Sequence, residues 1–171
     1  NGLKPRADVE QFVDIADPDI VTARGKFELD QCVPFHFYAP TPFAGRVQLA
    51  HPETSFVFIT VRRAVAESNG WLIVPSHPLD NSKPETTSYT AGFERIDWSR
   101  MQQRDYKDPA SKKACMAECL APGVVPNRKF SSFFVKDEAD REIVQKLLTA
   151  SSLTRHINIC RGMFVGGGDE P

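Results

Sequence analysis

The chain has few cysteines, no long apolar run and no surplus of either charge. No stretch of its 171 residues approaches the about 18 consecutive apolar residues that a membrane-spanning helix needs, and no secretory signal is visible at its start. Lys+Arg is 21 and Asp+Glu is 22, a formal net charge of −1. That balance excludes a globally basic nucleic-acid binder but leaves room for a local basic face. Four cysteines, Cys32, Cys115, Cys119 and Cys160, are too few for a disulfide scaffold. Cys115 and Cys119 have no second pair at metal-ligand spacing, so the expectation is four reduced, mostly buried thiols in a cytoplasmic protein, and no metal. There is no glycine-rich phosphate loop, no GxGxxG, no GxSxG and no HExxH. The three glycines at 166–168 have no helix after them and read as a flexible tail.

What remains is an ordinary globular composition, 41% hydrophobic and 25% charged. The length suits one domain with one core. The chain opens on Asn1-Gly2-Leu3 rather than Met and reads as a piece whose beginning is missing.

Short elements follow one another along the chain. Asp8 is placed to cap a turn over Val9, Phe12 and Val13, and Asp17-Pro18-Asp19 opens a helix carrying Ile20, Val21 and Ala23. Val33–Tyr38 reads as an aromatic strand ending at Pro40. Residues 55–61 (SFVFITV) read as a strand buried on both faces. Ala64–Ala66 suits a short helix stopped by Asn69-Gly70, and Trp71–Val74 a strand stopped by Pro75. Residues 76–92 read as a long loop. Asp97 and Asp108-Pro109 open two further short helices. Residues 117–125 read as a strand broken at Pro122-Gly123, and 130–135 as another strand. Asp137 starts the most regular helix, with Ala139, Ile143, Val144, Leu147 and Leu148 on one face, and 157–165 closes the pattern as a strand. Short strands among short helices imply an α+β domain of mixed sheets.

Glu118 stands out by context, inside Ala114-Cys115-Met116-Ala117-Glu118-Cys119-Leu120-Ala121-Pro122. A carboxylate in an apolar run is costly to bury unless it is paired. It is therefore structural, on the exposed face of an edge strand or paired with Arg or Lys, or else functional. His77 opens the long loop, where a histidine is ordinarily solvated. His36 alternates with Phe35 and Phe37 and should face away from them in a structural role. Arg24 ends a helix, where an arginine can simply meet the helix C-terminus. Arg95, Arg100, Arg104, Lys107, Lys112, Lys113, Arg128 and Lys129 gather within 35 positions, interleaved with Asp97, Asp105, Asp108 and Glu118. That is either a solvated face or a phosphate-contacting one.

Taken in order, several of these segments resemble the DarT family, bacterial toxins that ADP-ribosylate DNA bases with NAD+. Gly2-Leu3 is similar to the end of that family's first helix. Residues 14–24 (DIADPDIVTAR), 33–42 (VPFHFYAPTP), Val74-Pro75-Ser76-His77, Phe93–Trp98 and 116–126 (MAECLAPGVVP) follow in the family's order. The last segment holds Glu118 at the family's catalytic glutamate. Two departures are evident: Thr41 stands where the family has Arg, and Phe43 where it has Met. The family's early NAD+-contacting segment would precede Asn1.

The resemblance implies an ADP-ribosyltransferase-like α+β fold spanning 1–171, NAD+ as substrate and no metal. It implies that Glu118 orients the NAD+ ribose and assists proton removal from the acceptor base, that Arg24 contacts NAD+, and that His77 lies on the acceptor side. Lys112 or Lys113 would be the basic residue before the catalytic strand. In this scheme Phe35, Phe37 and Tyr38 wall the nicotinamide or belong to the core, and Arg95, Lys112 and Lys113 help to hold single-stranded DNA, because a base inside a duplex is out of reach. The implied partners are single-stranded DNA and a macrodomain-type antitoxin, with no membrane. RNA or protein as acceptor, and an inactive binding domain of the same shape, are the competing readings.

Overall fold

The computed structural model describes residues 2–8, 22, 24–77 and 84–166. The turn expected over Val9–Val13, the helix expected at Asp17 and the 167–168 part of the expected tail lie outside the described residues, as does 78–83 of the expected long loop.

Three small sheets organise the chain. Strand β1 (Gly2–Leu3) pairs with β7 (Val125–Pro126). The central sheet has the order β2 (Cys32–His36), β6 (Glu118–Pro122), β4 (Leu72–Val74), β5 (Thr87–Ser88), all antiparallel. The third has the order β3 (Phe58–Val61), β8 (Phe130–Val135), β9 (His156–Ile159), with β9 parallel to β8. Gly2-Leu3, taken by resemblance as a helix end, is thus a strand.

Side chains alternate across a strand, so register assigns each residue of the central sheet to a face. Val33 and Phe35 of β2, Cys119 and Ala121 of β6 and Ile73 of β4 share one face. They join Trp71, Tyr89, Ile96, Met101 and Cys115 in the main core. The opposite face carries Leu120 and Val74, covered by Leu29 and Phe27 from the segment before β2.

The helices are set by their caps. Helix α1 (Pro42–Ala50) starts where Thr41 Oγ1 accepts from the Ala44 N–H at 3.1 Å, with Pro42 in the first turn. No helix was expected there, although Thr-Pro is a start signal. Helix α2 (Arg63–Ser68) ends at Asn69-Gly70 as expected, and Gly70 sits at φ +61°. Helix α3 (Tyr89–Arg95) begins inside the expected long loop. Helices α4 (Trp98–Gln103) and α5 (Pro109–Ala114) are capped by Asp97 and Asp108, and α6 (Glu138–Ala150) by Asp137.

Three further expectations are corrected. The last strand, expected over 157–165, runs from His156 to Ile159, and Arg161–Met163 form a 3-10 turn. The strand expected over 55–61 is shorter and half-buried throughout, because β3 is an edge strand that pairs with β8 alone. The apolar face expected on α6 is narrower. The helix packs on β8 and β9 through Val144 and Leu148, leaving Ile143 and Leu147 exposed.

Gly92 marks the closest helix–sheet approach. A Cβ there would collide with Thr87 Oγ1 and come within 2.6 Å of Ile73 Cβ. Gly92→Ala is therefore expected to destabilise the fold by about 2 kcal/mol or more through overpacking, which a urea melt measures.

All four cysteines are free, and Cys115 and Cys119 are buried. Burial pushes the Cys119 thiol up to about 12. The folded chain thus holds this proton more tightly than the unfolded chain does, so stability should fall as pH rises above about 9. At pH 8 a maleimide should label the half-buried Cys160 and Cys32 before the other two, Cys32 being slowed because burial raises its thiol. Cys115 and Cys119 should label only on unfolding, which intact-mass spectrometry can time.

Candidate active site

Glu118 is the first residue of β6, a strand paired on both sides. It faces His36 of β2 and Val74 of β4 in register. Parity with Leu120 puts it on the face covered by the segment before β2, where it is 4% exposed. A lone carboxylate at that depth would be strongly destabilising. Arg24, in a short helical stretch of that covering segment, supplies the counter-charge. Its Nη1 donates to both carboxylate oxygens, at 3.0 and 2.9 Å. Of the two alternatives open in the sequence, pairing with Arg holds, and the strand is central rather than an edge. The arginine is not satisfied in full. Among the described residues no acceptor meets the buried Arg24 Nη2, and an unmet donor on a buried cation is expensive. The pair therefore presents one spare, charged donor beside a fixed carboxylate.

The ends of three strands converge here. Because β2 and β4 both run antiparallel to β6, their C-terminal ends lie beside the β6 start. His36 is in the same rung as Glu118, with Nδ1 3.3 Å from the Ala117 carbonyl oxygen. From its alternation with Phe35 and Phe37, His36 was expected in a structural role only. Its strand alternation placed it opposite Phe35, but which strand it would pair with was not legible. His77 is half-buried, three residues past Val74 and so within about 11 Å of the rung along the chain. Lys112 and Lys113 lie in the last turn of α5, immediately upstream, both exposed.

The aromatic candidates divide. Phe35 stacks on Trp71 with centroids 5.2 Å apart, and Phe37 meets Trp98 edge-on at 5.4 Å. Both point to the main-core face, away from Glu118, where with Tyr38, Phe58 and Arg63 they line a cavity of about 430 Å³. They wall that cavity and not the carboxylate. Tyr38 turns toward the α5–β6 connection. Burial, with hydrogen bonds to Cys115 and Tyr106, pushes its phenol up.

Arg95 is engaged elsewhere. It forms a bidentate pair with Glu85, both bonds 2.7 Å, on an exposed edge, and a phosphate would have to compete with that carboxylate. Thr41, standing at the family's arginine, is 2% exposed and serves as the α1 cap. Among the described residues no three His, Cys, Asp or Glu side chains are grouped to hold a metal, and no helix is long and apolar enough to cross a membrane.

Comparison with curated proteins returned no match. Among solved structures, the fold is similar to Thermus sp. 2.9 DarT in complex with ADP-ribosylated ssDNA, with TM-score 0.79 and 16% identity over 95% of this chain and 87% of that one. The same protein in complex with NAD+ aligns with TM-score 0.73 at 16% identity, over 95% and 87% of the two chains. Thermosipho africanus DarTG in complex with ADP-ribose aligns with TM-score 0.69 at 18% identity, covering 86% of this chain and 41% of that one. The family model of DarT, the ssDNA thymidine ADP-ribosyltransferase, matches residues 1–165, and the chain belongs to that family.

Proposed function

We propose that residues 1–171 act as one domain that moves ADP-ribose from NAD+ to thymidine in single-stranded DNA, with Glu118 and Arg24 as its central pair. The observation that carries this assignment is the buried carboxylate fixed by a guanidinium whose Nη2 meets no acceptor among the described residues. NAD+ has what such a site needs: phosphate and ribose oxygens for the spare Arg24 donor, and a ribose hydroxyl for Glu118.

In the transfer, the bond between nicotinamide and ribose C1′ breaks and nicotinamide leaves with the bonding pair. The ribose becomes oxocarbenium-like. A carboxylate held on a central strand stabilises that charge without reorganising, and does so more strongly in the transition state than in the ground state. Thymine attached to its own sugar has one nitrogen that still carries a proton. That nitrogen forms the new bond to C1′ and gives up the proton, with Glu118 as acceptor. In this reading His77 takes the acceptor side, and Lys112 and Lys113, in the last turn of α5, meet the incoming strand. Phe35 and Phe37 contribute through the core behind the sheet.

The setting that fits is a toxin acting in the cytoplasm on exposed single strands, countered by a macrodomain-type antitoxin. The likeness to a DarTG structure supports that pairing.

The test is incubation of the full chain with NAD+ and a mixed-sequence single-stranded oligonucleotide, followed by mass spectrometry. A gain of one ADP-ribose on thymidine-containing strands is expected. NAD+ consumption without DNA modification would move the acceptor to RNA or protein. No NAD+ consumption would overturn the enzymatic reading.

A further inference from the structure

Beyond the α4 end lies a cluster that the transfer chemistry does not use. The Tyr106 hydroxyl donates to the Pro40 carbonyl oxygen at 2.9 Å and sits 3.2 Å from the Tyr38 hydroxyl. Its phenol is therefore tied down at one end while the residue stays 40% exposed. Arg104 lays its guanidinium over the Tyr38 ring, 4.9 Å from the centroid. It does so from a left-handed backbone, φ +53°, which a non-glycine residue rarely adopts.

The acids of this stretch are committed to the backbone. Asp105 Oδ1 accepts from the Lys107 and Asp108 N–H groups, and Asp108 caps α5. Among the described residues no carboxylate lies within ion-pair distance of Arg104, Lys107 or Lys112. The surface is thus a fixed aromatic ring, with Arg104 against its Tyr38 brace and Lys107 next to it in sequence, both without an ion-pair partner among the described residues. Tyr38 is two residues past His36, at most about 7 Å along the chain from the Glu118 rung. Proteins that hold single strands combine these two features, cations along the backbone and aromatic rings on which bases stack.

We propose that Tyr106, braced by Tyr38 and Arg104, is a stacking platform for a base neighbouring the modified thymidine, with Arg104, Lys107 and Lys112 taking the adjoining phosphates. The proposal deepens the reading of single-stranded DNA as acceptor and rests on it. It makes the site sensitive to the identity of a flanking nucleotide, because purines and pyrimidines stack to different extents.

The test uses the full chain without NAD+ and a fluorescein-labelled, thymidine-containing oligonucleotide, read by anisotropy. Tyr106→Ala is expected to weaken binding about tenfold, and Tyr106→Phe, which keeps the ring, less than about threefold. An abasic site walked along the strand should cost the wild type about tenfold at one position, and cost Tyr106→Ala nothing further there. Lys107→Gln should lower the slope of log affinity against log salt by about 0.7. Equal binding by wild type and Tyr106→Ala, equal losses in the Ala and Phe variants, or an abasic penalty that persists in Tyr106→Ala would each overturn the platform. Transfer is measured in parallel. A wild type that shows the abasic cycle but transfers no ADP-ribose keeps the platform and removes the enzymatic reading. Normal transfer with a Tyr106→Ala variant unaltered in KM for DNA does the reverse.

Discussion

Glu118→Gln is expected to slow ADP-ribose transfer about 1000-fold or more while leaving the fold in place. Losing a positioned proton acceptor costs about 100- to 10,000-fold, and losing one electrostatic contact to the reacting centre about 100- to 1000-fold. The two act as a unit in one side chain, so their product overstates the loss. Glutamine keeps the volume and one oxygen for the Arg24 Nη1 donor. The remaining bond keeps its charged donor, and the loss of the second bond and of the ion pair costs about 1–3 kcal/mol. Alanine is the poorer probe, because it strands a guanidinium that is only 15% exposed, and the fold would not be left intact. Initial rates by mass spectrometry, beside a thermal melt, check the prediction. Transfer within tenfold of the native rate would remove Glu118 from its role.

Arg24→Met is expected to act on stability and chemistry together. It leaves a carboxylate in the middle of a sheet without a counter-charge. Breaking a buried pair by removing one partner costs about 3–5 kcal/mol, and Arg24's partial exposure argues for the lower end, about 3. For a domain of this size that is a fall in Tm of roughly 6–12 °C. Transfer should drop about 100-fold as well, since the spare Nη2 donor goes with the side chain. Adding Glu118→Gln to Arg24→Met should recover much of the lost stability and none of the activity. Melting losses that simply sum across the two variants would mean the pair is not coupled.

Much of this fold could be read from local signals, and the failures share a cause. Asp97, Asp108 and Asp137 announce their helices because a cap is a local hydrogen bond, to Arg100, Ala110 and Ser111, and Asp140 respectively. Thr41-Pro42 carries the same signal but sits within an aromatic, proline-rich stretch that reads as strand and turn. Burial of β3 and of the Ile143 face of α6 depends on how many neighbours each element finds, which periodicity does not encode. The site divides along the same line. Glu118 is conspicuous because its own neighbours are apolar. Its partner Arg24 is 94 residues away. The rung with His36 exists only once the pairing of β2 with β6 is known, and the displacement of Phe35 and Phe37 to the other face follows from that register.

That same register has a consequence for when activity can appear. The strands flanking Glu118 come from residues 32–36 and 72–74, and its counter-ion from residue 24, so these neighbours of the carboxylate are made before the carboxylate itself. Synthesis must pass residue 118, and closure must span most of the chain, before any of these contacts can form. Pairings this distant in sequence are slow to form because loop closure precedes their reward. A chain still growing short of residue 118 holds the flanking strands without the carboxylate they position. A transferase built this way has no assembled site until synthesis has passed residue 118, a delay set by topology.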